Sequence, residues 1–108
     1  MEELRAKIED VFDHVVNARS RLLSAKELTM DAKESLKNQE SVLLVGGKIT
    51  GKNEKEREAQ LRIETTLRRN ELVAAEKAEL TATYSLEIAL DARRNLESML
   101  RIEELGAA

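Results

Sequence analysis

The chain has no proline, cysteine or tryptophan, and only four glycines, one histidine, one phenylalanine and one tyrosine in 108 residues. Each shortage removes a class of structure. Without cysteine there is no disulfide framework and no thiolate site, and a reducing cytoplasm is the expected compartment. Without proline nothing locks φ or deletes a backbone donor, so helices can run uninterrupted. Two aromatics, Phe12 and Tyr84, cannot build a base-stacking platform. No apolar run approaches the ~20 residues needed to span a bilayer. The segment Met1-Glu2-Glu3-Leu4-Arg5 is acidic where a secretory signal would be basic and then apolar, so no membrane association is expected.

What the chain does have is charge and helix formers. Charged residues make up 36% and apolar residues 42% of the sequence, the composition of a long-helix or coiled-coil protein, here one domain spanning residues 1–108. Three of the four glycines fall together, at Gly46, Gly47 and Gly51. Glycine enters left-handed backbone conformations without steric cost, so this cluster marks a turn over about residues 46–53. The expected flanking elements are helix 1 over about residues 2–45 and helix 2 over about residues 54–105. Asn53 is the expected N-cap of helix 2, with Glu56 completing a capping-box-like pair, and Gly106 its expected C-cap. Straight helices of these lengths measure about 65 and 78 Å at a rise of ~1.5 Å per residue, which would give an elongated particle.

In helix 1, apolar or small residues alternate in steps of four and three: Leu4, Ile8, Val11, Val15, Ala18, Leu22, Ala25, Thr29, Ala32, Leu36. A 3.5-residue repeat keeps one seam against a partner helix. In helix 2 the expected inner face is small, with Ala74, Ala75, Ala78, Ala82, Ser85, Ala89 and Ala92 spaced by Leu67, Leu86, Leu96 and Leu100. Folding about the turn pairs residues whose numbers sum to roughly 99 in an antiparallel, coiled-coil-like hairpin. Ala25 then meets Ala74, Ala18 meets Ala82, Leu4 meets Leu96, and Val11 meets Ile88 and Ala89. Thr29 would face Asn70 and Gln39 would face Gln60, forming polar layers that fix register.

A second apolar stripe runs along each helix: Phe12, Val16, Leu23 and Met30 on the first, Val73, Leu80, Tyr84 and Ile88 on the second. A two-helix hairpin cannot cover them, so the expectation is a homo-oligomer, a dimer forming an all-α four-helix bundle. The alternative is a compact monomer in which a helix breaks around Leu28-Thr29-Met30-Asp31 or Thr81-Ala82-Thr83.

Motifs for chemistry are sparse. Gly46-Gly47-Lys48-Ile49-Thr50-Gly51-Lys52-Asn53 has the G-x-x-x-x-G-K spacing of a phosphate-binding P-loop and follows the strand-like run Val42-Leu43-Leu44-Val45. Asn53, however, stands where a magnesium-binding hydroxyl is required, and no alternating strands surround the run. The glycines read as a helix stop. His14 lies near Asp10 and Asp13, but a bundle metal site draws Glu-x-x-His from two helices, and this cluster reads as solvated charge. No enzyme, metal or cofactor is expected. Residues 48–69 hold seven cations (Lys48, Lys52, Lys55, Arg57, Arg62, Arg68, Arg69) against four acids, giving +3 locally and −6 elsewhere. This basic tip is the candidate contact for nucleic acid or a protein partner. Nucleic-acid binding through it would be weak and salt-sensitive.

The segment Gly47-Lys48-Ile49-Thr50-Gly51-Lys52-Asn53-Glu54-Lys55-Glu56-Arg57-Glu58-Ala59-Gln60-Leu61, followed by a long charged helix, resembles small helical bacteriophage and prophage proteins. The resemblance covers the turn and the start of helix 2. It implies an accessory role beside DNA metabolism in a recombination or replication module, in the host cytoplasm, and brings no catalytic residue. The leading expectation is a non-enzymatic oligomer acting as a protein–protein adaptor or accessory factor. The alternative is a weak nucleic-acid-binding accessory protein.

Overall fold

The computed structural model describes residues 2–107, the side chain of Ala107 excepted, and within them the chain is all helical. Three helices follow in order: α1 (Glu2–Val45), α2 (Glu54–Glu64) and α3 (Thr66–Ala107). The bounds of α1 are those expected, and it passes through residues 28–31 without interruption, as α3 does through residues 81–83.

The expected second helix is instead divided at Thr65, with φ −106° and ψ 14°. Adjacent β-branched hydroxyl residues explain the division. Thr65 Oγ1 donates to the Leu61 carbonyl at 2.7 Å, and Thr66 Oγ1 to the Ile63 carbonyl at 2.8 Å. Such back-bonding gives a carbonyl a second donor beside its ladder partner and bends a helix. The ladder itself persists on both sides: Thr65 N–H reaches Leu61 O at 3.0 Å and Arg69 N–H reaches Thr65 O at 2.9 Å. The feature is therefore a kink and not a loop. At the other end α3 continues through Gly106, which has no positive φ, so it is a helical residue and not the expected cap.

The chain divides into two compact units. The first joins the residues up to Ser24 with those from Leu80 onward; its core buries Leu4, Val15 and Ala18, with half-buried Ala82, Leu86, Ala89, Leu96 and Leu100 contributed by α3. The second spans Ala25–Glu79 and buries Ala25, Thr29 and Thr65, with Leu36, Leu61, Leu72 and Ala75 half-buried.

All ten residues of the expected α1 seam, Leu4 through Leu36, are buried or half-buried. The matching face of the second helix differs in part. Ala75, Ala82, Leu86, Ala89, Ala92, Leu96 and Leu100 are shielded, but Leu67, Ala74, Ala78 and Ser85 are exposed. Their inward places belong to Leu61, Thr65, Arg69, Leu72, Glu79, Leu90 and Arg93. The helical repeat keeps its phase whatever residue occupies each position, so Thr65, Arg69 and Glu79 hold inward places despite their polarity.

The polar layers do not form. Thr29 Oγ1 donates to its own helix at Ala25 O, 3.1 Å away, which satisfies the hydroxyl without a partner helix. Asn70 and Ala74 are exposed, Gln60 is committed to the loop, and Gln39 Oε1 is left buried without a hydrogen-bond partner. In the second unit the register also differs from the simple fold-back. Glu40 Oε1 accepts from Arg69 Nη2 at 3.1 Å, where the expected register placed Ala59.

Candidate functional sites

The loop between α1 and α2 is built almost wholly from satisfied backbone groups. Gly47, at φ 68°, is the left-handed residue that ends α1. Lys48 N–H donates to Leu43 O at 3.2 Å and Gly47 N–H to Leu44 O at 3.3 Å, the paired bonds of a Schellman motif. Gln60 then pins the outgoing strand of the loop. Its Oε1 accepts from Thr50 N–H at 2.9 Å and Gly51 N–H at 3.1 Å, while its Nε2 donates to Lys48 O at 3.1 Å. Asn53 caps α2 as expected, its Oδ1 accepting from Glu56 N–H at 2.8 Å, and Glu56 Oε2 reaches back to Lys52 N–H at 2.9 Å.

This arrangement bears directly on the P-loop-like spacing. A phosphate cradle needs free amides pointing at the ligand. Here the amides of Gly46, Gly47, Lys48, Thr50, Gly51 and Lys52 all donate to protein acceptors, one of them a carboxylate that repels phosphate. Val42–Val45 is the last turn of α1 and not a strand.

Gly51 is held by close approach. A Cβ there would stand 2.7 Å from Arg57 N and 2.9 Å from Glu56 C, both backbone atoms that cannot swing aside. Gly51→Ala should therefore lower stability by about 1–3 kcal/mol. Gly106→Ala should be neutral or slightly stabilising, because nothing lies within 4 Å of its added Cβ and alanine favours helix. Thermal melts of the two variants check this pair: a Gly51→Ala melt indistinguishable from wild type would contradict the packing of the loop on α2.

The seven tip cations do not act as one set. Lys48, Lys52, Lys55, Arg57 and Arg62 are exposed. Arg68 pairs with Glu71 at 3.2 Å in an exposed ion pair of little energetic weight. Arg69 is structural: its Nε donates to Thr65 Oγ1 at 2.9 Å and its Nη2 to Glu40, so it ties the kink to α1. On α2 the spacing places Glu58 on the same face as Lys55 and Arg62, which dilutes the positive field. No sequence signal marked Gln60 or Thr65 as organisers of this region, because their roles depend on where the loop lies.

All eight residues of the second apolar stripes are exposed: Phe12 (56%), Val16, Leu23, Met30, Val73, Leu80 (70%), Tyr84 and Ile88. Leu28, Met99, Ile102 and Leu105 are exposed as well. The first unit also contains a groove of about 300 Å³ lined by Val11, Ala18, Ile88, Ala89 and Ala92, with His14, Asn17, Arg21 and Ser85 around it. Val11 of α1 and Ile88 and Ala89 of α3 line this groove together. Among the described residues no group of three or more His, Cys, Asp or Glu side chains could hold a metal ion, and no helix is long and apolar enough to cross a membrane. Comparison with protein-family models, with curated proteins and with solved structures finds no match to this chain, so its functional reading rests on these surfaces.

Proposed function

We propose that the protein is a non-enzymatic helical oligomer, a dimer completing a four-helix bundle, that serves as a protein–protein adaptor or accessory factor. The observation that carries this reading is the exposure of Phe12, Val16, Leu23, Leu80, Tyr84 and Ile88 on helices whose other faces are already packed. Full burial of a large apolar side chain is worth ~1.5 kcal/mol or more, so covering several of them outweighs part of the cost of association. Carriage by a phage, in a recombination or replication module, is a proposal resting on the resemblance of the loop and the start of α2.

A second reading, weak nucleic-acid binding by the tip, draws on the exposed Lys48, Lys52, Lys55, Arg57 and Arg62. The interleaved acids and the engagement of Arg69 favour the adaptor. Fluorescence anisotropy with labelled single- and double-stranded DNA separates the two. Negligible binding at ~150 mM salt is expected, because a few dispersed cations release few condensed counterions. Tight binding at that salt, lost when the five exposed cations become glutamine with helicity intact, would replace the adaptor reading.

A further inference from the structure

We infer that the Phe12–Leu23 face of α1 is a self-complementary docking surface, whose occupant is the same face of a second copy lying antiparallel across a two-fold axis at Val16. This inference rests on the oligomer reading above and specifies its geometry.

Two observations support it. The first is charge order. On the helical face that carries Phe12, Val16 and Leu23, Asp13 stands three residues before Val16 and Arg19 three residues after it. Farther out, Arg5 and Glu27 stand eleven residues before and after Val16, with the signs reversed. An antiparallel copy centred on Val16 sets Asp13 against Arg19 and Arg5 against Glu27, twice each by symmetry. A parallel copy in register would set like charge against like. All four side chains are exposed, and among the described residues none forms an ion pair within the chain.

The second observation is shape. In this arrangement Phe12 of one copy falls over the hollow between Val16, Arg19, Ser20 and Leu23 of the other, the four-residue hole that receives a knob in helix packing. Val16 meets its own copy on the axis. A standard interface buries ~800 Å² per partner, and the exposed Leu80 and Tyr84 of the same unit are available to add apolar area to that of the α1 face.

The chain's lack of cysteine allows a direct test. Single variants Val16→Cys and Leu23→Cys, both at exposed positions, are oxidised mildly and run on non-reducing gels, with the mass of each reduced chain measured by light scattering. A residue on the axis meets itself, so Val16→Cys should form a disulfide-linked dimer at least tenfold faster than Leu23→Cys. Equal cross-linking at both positions, or a dimer by mass that Val16→Cys does not trap, would overturn the antiparallel geometry while leaving the oligomer reading standing. Monomeric mass for both reduced variants and for the unsubstituted chain would overturn both. In parallel, Asp13→Arg and Arg19→Asp should each weaken association at least tenfold, and the double variant should restore it. A double variant no better than either single one would also overturn the proposed pairing.

Discussion

Val15→Asp should abolish the packing of the first unit, whereas Val16→Asp, one residue along, should leave the fold intact. Val15 is 1% exposed and Val16 48%, so the two substitutions put the same carboxylate into opposite environments. Burying an ionised carboxylate without a partner is prohibitively costly, so the group either protonates or forces the helices apart. A loss of at least ~3 kcal/mol is expected for Val15→Asp, a large share of the 5–15 kcal/mol available to a typical domain. Circular dichroism at 222 nm during a urea titration reads the difference: the midpoint collapses for Val15→Asp and moves little for Val16→Asp in the monomer. Similar midpoints for the two would show that the α1 seam does not face its partner helix as described.

Phe12→Glu and Leu80→Glu should each split the oligomer and spare the helices. Both residues point away from the seam of the isolated chain, so neither substitution disturbs its packing. In the assembled form each would put a charge into an apolar contact. A weakening of about 100-fold or more is expected, equivalent to ~2.7 kcal/mol or more of association free energy. Light scattering against concentration measures it. Retention of the parental mass by both variants, with helicity unchanged, would remove the second stripe from the interface.

Much of the fold is written in local pattern. The α1 seam could be traced residue by residue, because an alternating four-and-three repeat admits one face, and the Gly46-Gly47 stop and Asn53 cap lie where local chemistry requires them. The eight stripe residues are exposed, as their spacing required once the seam had been assigned. What was not legible depends on three-dimensional closure. The Thr65 kink arises from hydroxyls that bond backward and from a buried environment shared with Arg69, neither of which has a periodic signature. Gln60 looked like a register partner for Gln39 and is instead the anchor of the loop, since a side-chain amide finds whichever backbone groups come near. Arg69 counted towards a basic surface but faces Glu40 and Thr65, because its position in the repeat points inward and outweighs its charge.

Assembly through the exposed apolar faces is the central claim, and sedimentation equilibrium of the unsubstituted chain tests it most directly. Over micromolar concentrations at ~150 mM salt, where a Debye length of about 8 Å screens the outer charges, the expected mass is twice the 12.2 kDa of one chain. It should fall towards the single-chain value on dilution. A mass that stays at 12.2 kDa up to the highest soluble concentration would contradict the claim.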